Sequence, residues 1–451
     1  MSLRCVKADD IRGRVPSELN EGLAYRIGFA FVEFLSAKTL VVGHDIRLTS
    51  PSLSAALIEG ITDAGADVFF LGECGTEEVY FAVADLKVCG GVCVTASHNP
   101  IEYNGMKLVR AQARPVSMSS GLKVIARAVE SSVFIPVAIK GAIHALSNRS
   151  HYTQFLLKFI NIKVLRPLTV VANPGNGGAG ALVNYLEPSL PFKFIKIHFD
   201  ADGSFPNGIP NPLLHDRRED TRNAVLSHSA DIGVAWDGDF DRCFFFDEKG
   251  RFIEGYYLVG LLAQAFLSKA PSATIVHDPR LTWNTIDVVN HAGGQAVISK
   301  AGHASVKEKM REVDAVYGGE MSAHHYFRDF FYCDNGSIPW LLVLELMSIS
   351  GKSLSQLVDA RMEAYPCSGE RSLSIAEPQS ILVLLERHYL SLAKIVSRLD
   401  GLSMEFVDWR FNIRVSGTEP FMRLNVESRG DHVLMIKQTE ELIALIESAN
   451  N

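Results

Sequence analysis

Short apolar runs that stop at polar or glycine residues, each followed by a helix-like stretch, recur along most of this 451-residue chain. Residues 39–43 (TLVVG) run into His44-Asp45-Ile46-Arg47 and a helix-like stretch over 51–64; Gly65 stops it before the next run at 67–71. Residues 92–95, 168–172, 231–236, 273–277, 295–299 and 315–317 repeat the theme, and polar or glycine-containing loops follow them. Such alternation predicts βαβ units and largely parallel sheets. The pattern restarts twice, so three similar mixed α/β domains are expected, alike in architecture but not in visible sequence identity. The tail differs. Residues 403–428 are strand-rich, with Met404, Phe406, Trp409, Phe411 and Ile413 near period two, and a helix-like run follows over 433–446. This reads as a smaller C-terminal α+β domain. The expected divisions are 1–150, 151–252, 253–367 and 368–451.

Composition narrows the function classes. With 47% hydrophobic and 21% charged residues, the chain reads as a globular protein long enough to bury its core without disulfides. A formal net charge of −7 argues against a sequence-independent nucleic-acid binder. Seven cysteines are scattered without a CxxC pair, the pattern of buried free thiols in a reducing compartment. No apolar region marks the N-terminus and no uninterrupted apolar run reaches the ~18 residues of a membrane helix. A cytoplasmic protein with neither a nucleic-acid nor a membrane partner is expected.

Two loops carry chemistry. Residues 92–100 read VCVTASHNP, an apolar run that ends on Ser97. Ser, Asn and Pro form turns, but the same place would display a nucleophile on a rigid edge. Residues 237–242 read DGDFDR directly after another apolar run. Clustered carboxylates raise one another's pKa unless a cation sits among them, and Mg²⁺ takes oxygen ligands of this kind together with substrate phosphate. Asp237, Asp239, Asp241 and Glu248 also fall at calcium-loop spacing, but Arg242 stands where that loop requires glycine. A serine hydrolase would ordinarily show Gly-x-Ser-x-Gly, and here the context is Thr95-Ala-Ser-His-Asn99. His98 is placed to orient a neighbour without completing a triad. A phosphoryl group on Ser97, held by Mg²⁺, fits both loops, because phosphoryl transfer needs charge neutralisation and positioning above all.

With Gly319-Glu-Met-Ser322 and Arg414-Val-Ser-Gly-Thr-Glu-Pro420, these loops form an ordered set spread over hundreds of residues. The set resembles the α-D-phosphohexomutases along essentially the whole chain, most closely the bacterial members acting on mannose phosphate. The resemblance implies four domains around a central cleft, with one loop from each. It implies a phosphoserine at Ser97 that donates to the sugar, a 1,6-bisphosphosugar that turns over, and Mg²⁺ on Asp237, Asp239, Asp241 and a phosphoryl oxygen of Ser97. Mannose or glucose 1,6-bisphosphate is the implied activator. Lys107 matches the general-base position, with a phosphate clamp as the other reading. Arg12 matches a cleft arginine, although Asp9 stands where relatives often have tyrosine. Arg242 would neutralise transferring oxygens.

Glu320 and Ser322 would read the 3-OH and 4-OH of the sugar, which mannose and glucose share. Arg414, Ser416, Gly417, Thr418 and Arg423 would hold the non-reacting phosphate, and Arg280, Lys300 and His303 match further cleft positions. A metal pair at His324-His325 is not expected, since adjacent side chains of an extended segment point apart. Met321 argues against a glucosamine-phosphate substrate. The implied product feeds GDP-mannose synthesis. Glucose phosphates remain an alternative substrate, and a metal-dependent sugar phosphatase is the alternative of a different class. The partner is a phosphosugar, and the assembly a monomer or homodimer.

Overall fold

The computed structural model describes residues 3–415 and 421–450. The chain forms two compact units. The first comprises Met1–Phe252 and His324–Leu354, the second Ile253–Ala323 and Ser355–Asn451.

In the first unit one sheet runs Ile11–Arg14, Tyr103–Arg110, Gly90–Val94, Thr39–His44, Asp67–Glu73, Ile143–Ala145. Its last four strands are parallel, joined through helices Ser50–Asp63 and Thr76–Asp85. The first three are antiparallel. A second sheet places Ile232–Trp236 beside parallel Thr169–Asn173 and antiparallel Cys243–Asp247. The mixed α/β domains are as expected, with parallel strands at the centre of each sheet and antiparallel strands added at its edge. The reason is loop length. Parallel neighbours need a crossover of roughly a dozen residues, whereas only residues 95–102 separate Val94 from Tyr103 and only 237–242 separate Trp236 from Cys243. The chain must return antiparallel at both places, and both short returns carry the chemical motifs.

The second unit holds a parallel trio, Gln295–Ile298, Thr274–His277 and Tyr317–Gly319, with helices Gly255–Lys269, Trp283–His291 and His303–Glu312. It also holds the tail's antiparallel sheet, ordered Arg371–Ser374, Phe421–Ser428, Trp409–Val415, Leu402–Glu405, Ile395–Ser397. The period-two residues behave as alternation demands: Met404, Phe411 and Ile413 are buried in one cluster with Leu385 and Leu442 from helices Pro378–Tyr389 and His432–Asn450.

All seven cysteines are free, and five are buried. Among the described residues no single helix is long and apolar enough to cross a membrane.

Candidate active site

Ser97 sits in the return loop with a φ of 50°, the left-handed region that a residue with a Cβ enters at a cost. The loop is held there from several sides. Thr95 Oγ1 accepts the Ser97 N–H at 2.9 Å, and Arg47, nearly fully buried, donates to the carbonyls of Ser97, Asn99, Pro100 and Tyr103 at 2.5–2.9 Å. Asp45 anchors the assembly by accepting from Thr95 Oγ1 at 2.7 Å, Ser50 Oγ at 2.5 Å and the Arg47 N–H at 3.0 Å. Backbone strain over-determined in this way marks a displayed side chain rather than a casual turn.

The acidic loop meets it. Ser97 Oγ donates to Asp237 Oδ2 at 2.7 Å, across 140 residues of sequence. Gly238 makes this approach feasible, because a Cβ there would lie 2.6 Å from the Ser97 carbonyl oxygen. Asp237, Asp239 and Asp241 are buried, with one carboxylate oxygen of each within 4.8 Å of the others. Thr76 Oγ1 and Lys107 Nζ both donate to Asp239 Oδ2 at 2.6 Å, and Lys107 also pairs with Asp241 Oδ2. Arg242 grips Asp237 Oδ2 through Nε at 2.9 Å and Nη2 at 2.7 Å. The remaining oxygens, Asp239 Oδ1 and Asp241 Oδ1, are buried without a hydrogen-bond partner. Buried acceptors are ordinarily satisfied, and three converging carboxylates with two oxygens left over suit a hard cation. The residues fit Mg²⁺.

The electrostatics follow from burial. Desolvation pushes the Asp237 carboxyl up to about 6, with Asp241 and Asp239 adding to it and Arg242 opposing. Burial pushes Asp241 the same way, but Lys107, His324 and Arg242 outweigh it and hold the carboxyl well below its ordinary range. Burial works against the Lys107 ammonium, yet Asp239 and Asp241 reverse that and hold it protonated far above neutral pH. The His98 imidazole, whose Nδ1 lies 3.0 Å from Ser97 Oγ and accepts from Arg242, is pushed well below its ordinary value by burial and by the charges of Arg242 and Arg12. Arg12 donates to Asp10 at 2.8 Å and to Asn99 Oδ1 at 2.5 Å.

In the second unit Glu320 is 2% exposed. Its Oε1 accepts the Gly302 N–H at 2.9 Å and Arg280 Nη2 at 3.3 Å, and the same guanidinium reaches Ser322 Oγ at 3.2 Å. Asp278 holds Arg280 through Nε at 2.9 Å and Nη2 at 2.5 Å. Arg280, Arg414 and Arg423 converge on Glu370 at 3.6, 3.3 and 3.7 Å. Three guanidiniums around one carboxylate form a strongly anion-seeking cluster. His303 opens helix His303–Glu312, with Nδ1 3.2 Å from Lys307 Nζ, and Lys300 is exposed in the preceding loop.

Residues 4–134, 150–250 and 254–365 match, in turn, phosphoglucomutase/phosphomannomutase alpha/beta/alpha domains I, II and III. The chain belongs to the phosphoglucomutase/phosphomannomutase family. Members of this family are phosphohexomutases, which are isomerases. The chain is 57% identical to the phosphomannomutase of Salmonella montevideo, over 99% of this chain and 100% of that one. It is 54% identical to a protein named phosphohexose mutases in Xanthomonas campestris pv. campestris (strain B100), over 99% and 100%. Its fold matches a crystal structure of a phosphoglucomutase/phosphomannomutase family protein from Burkholderia thailandensis with a TM-score of 0.89, 29% identity and coverage of 100% and 99%.

For this phosphoglucomutase/phosphomannomutase chain, Arg12, Ser97, His98, Lys107, Asp237, Asp239, Asp241 and Arg242 gather in the first unit. Arg280, Glu320, Ser322, Arg414 and Arg423 gather in the second. Ser416, Gly417 and Thr418 lie outside the described residues. Sequence reasoning missed Arg47, Asp45, Thr76, Glu370 and His324. His324 Nε2 lies 3.8 Å from Asp241 Oδ1, and His324, Asp241 and Asp334 place ligand atoms within 4.8 Å of one another. In sequence the histidine doublet reads only as a pair with itself. The Asp-x-Arg motif after a strand, present at 45–47 and 278–280, was the available signal for Arg47.

Proposed function

We propose that this chain is a phosphomannomutase, interconverting mannose 6-phosphate and mannose 1-phosphate through a phosphoserine at Ser97 and a 1,6-bisphosphosugar. The observation that carries the reading is Ser97 Oγ at 2.7 Å from Asp237 Oδ2, beside two carboxylate oxygens that no hydrogen bond satisfies. The phosphomannomutase relatives support mannose as the sugar.

The phosphoryl group leaves Ser97 Oγ for a sugar hydroxyl, and after the intermediate turns over, its other phosphoryl group returns to Oγ. Mg²⁺ held by Asp237, Asp239 and Asp241 would supply charge neutralisation for the transferring group. Arg242 adds a guanidinium at the same oxygens. Lys107, held protonated by two carboxylates, serves as a charge clamp rather than a base. Glu320 and Ser322 accept and donate to the sugar 3-OH and 4-OH. Arg414 and Arg423 hold the non-reacting phosphate together with Ser416, Gly417 and Thr418, while Arg280, Lys300 and His303 line the approach. Arg12 contacts the phosphosugar, and His98 orients Ser97. A site that reads O3 and O4 tolerates inversion at C2, so glucose phosphates are slower substrates and either hexose 1,6-bisphosphate is an activator. The setting is cytoplasmic, supplying GDP-mannose.

A coupled assay with mannose 1-phosphate and glucose 1-phosphate, with and without a 1,6-bisphosphate, tests the reading. Both sugars isomerise, mannose with the higher kcat/KM, and a catalytic amount of bisphosphate removes the lag. Ser97→Ala loses phosphate incorporation and at least about a thousandfold in kcat. Release of inorganic phosphate without isomerisation would assign the chain to the phosphatases instead.

A further inference from the structure

One segment of the first unit is built unlike a monomer's surface. Between helix Lys123–Ser131 and strand Ile143–Ala145 the chain reads SVFIPVAIKGA. Val133, Ile135 and Ile139 are 85, 74 and 86% exposed, and Val137 and Ile143 are exposed as well. These five fall within eleven residues; Leu390, Leu392, Ile395 and Leu399 form a second group in the other unit, and the remaining exposed large apolar residues are spread along the chain. Together they present on the order of 600 Å² of apolar surface, at the upper end of what a soluble monomer ordinarily leaves uncovered. The segment is nevertheless well fastened. Phe134 packs against Phe29 with ring centroids 4.9 Å apart and the rings tilted, the Val137 N–H donates to Asp63 O and the Gly141 N–H to Thr62 O, both at 2.9 Å. A fixed extended strap with its apolar side chains turned outward is a prepared surface, not a frayed one.

The strap leads into an open sheet edge. Ile143–Ala145 pairs in parallel with Asp67–Glu73, and its main-chain contacts extend from Ala142 to Leu146. Among the described residues no strand pairs with its other side. All three of its residues are exposed. An uncovered apolar edge strand is a template for further pairing, which proteins ordinarily blunt with charge, proline or a covering element. Here the one charge on the strap, Lys140, is drawn to Asp63 at 2.5 Å. Beside the strand lies a cavity of about 520 Å³ lined chiefly by Pro51, Ala55, Ile58, Phe70 and Ile143, with the charged Glu59, Asp63 and Lys140 also lining it. A protruding knob, Ile139, thus stands next to an apolar hole on the same face.

We propose that this face is the contact between two copies of the chain. The edge strands would pair antiparallel about a two-fold axis, and each Ile139 would enter the other copy's cavity. A two-fold contact must be self-complementary, and a knob adjoining a hole beside an open strand edge meets that requirement. The charge agrees: the chain carries −7 overall, so two copies repel except where the surface is neutral, as the strap is. The area agrees too. The five apolar side chains, with the strand edge and cavity rim, approach the roughly 800 Å² per partner of a standard stable interface. The contact uses none of the site residues described above.

Sedimentation velocity on the full chain from about 1 to 100 µM tests this, over the range where a modest interface saturates. The wild-type chain sediments as a dimer at the upper end. Ile139→Glu and Ile143→Glu each weaken association by roughly a hundredfold or more, because each buries a charge in the contact. Both side chains are exposed in one copy, so circular dichroism stays unchanged. Val433→Glu, 77% exposed on helix His432–Asn450, leaves the dimer intact. Amides of residues 142–146 gain hydrogen-exchange protection with concentration. A wild-type monomer across the whole range overturns the proposal. So does a dimer that survives both glutamate variants, or one without protection at the strand edge, since either places the contact elsewhere. A dimer lost with Ile139→Glu and Ile143→Glu alone, and protected at 142–146, supports it.

Discussion

At the scale of single residues the site balances charge by burial. Asp237 is surrounded by Arg242, Ser97 and two further carboxylates, and burial raises it to about 6. A proton and a divalent cation compete for that carboxylate, so the sign is determined: below about 6 the proton wins, above it the carboxylate is free to bind. Apparent Mg²⁺ affinity, measured by calorimetry, is therefore expected to fall several-fold to tenfold per pH unit below about 6 and to level off above it. Asp237→Asn should remove that dependence along with most of the affinity, whereas an unchanged slope in the variant would place the titrating group elsewhere. Lys107 illustrates the same balance. From its neighbours in sequence it reads equally as base or clamp. Its two carboxylate partners, Asp239 and Asp241, hold the ammonium protonated against the burial that opposes it.

At the scale of elements one device appears twice. His44-Asp45-Ile46-Arg47 follows strand Thr39–His44, and His277-Asp278-Pro279-Arg280 follows strand Thr274–His277. In each, the His Nδ1 lies 2.8 or 2.9 Å from the Asp carbonyl oxygen, and the Arg N–H donates to Asp Oδ1 at 3.0 Å. The architectural repeat thus has a short sequence trace after all. Arg47 holds the Ser97 loop through carbonyls, and Arg280 holds Glu320 and Ser322. The two arginines are expected to separate kinetically. Arg47→Lys cannot fork to four carbonyls, so the nucleophile is misplaced and kcat falls about a hundredfold. Arg280→Lys loosens the sugar loop and raises KM more than it lowers kcat. Steady-state kinetics on mannose 1-phosphate distinguishes this from a uniform loss of folded enzyme, which would lower kcat in both with KM unchanged.

At the scale of the molecule, the chain leaves the first unit after Phe252 and rejoins it at His324. Glu77 helps secure the returning segment. It accepts from the Gly336 N–H at 2.8 Å, the Ser337 N–H at 3.2 Å and Ser337 Oγ at 2.5 Å. Full burial nevertheless raises its carboxyl from 4.5 to about 8, outweighing those donors. Between those values the folded chain keeps a proton that the unfolded chain releases. The stability this contributes is complete below about 4.5 and is lost as pH rises through about 8, on the order of 5 kcal/mol. Glu77→Gln, neutral throughout, should melt with the wild type near pH 5 and above it near pH 8. Parallel melting curves would show that Glu77 is ionised in the folded state.

The sequence by itself determined most of the parallel strands, where they stop and which chemistry their loops bear. Periodicity, glycine stops and the Ser97, Asp237–Asp241 and Glu320 motifs are properties of neighbours along the chain, and nearest neighbours decide them. The tertiary structure decided what those loops meet. Short returns at 95–102 and 237–242 forced antiparallel strands into otherwise parallel sheets, and burial then brought Ser97 to Asp237, Lys107 between Asp239 and Asp241, and His324 to Asp241. The open edge at Ile143–Ala145 belongs to the same category. An apolar run looks alike in sequence whether its outer side is paired or bare, because strand pairing is settled by topology and not by the run itself.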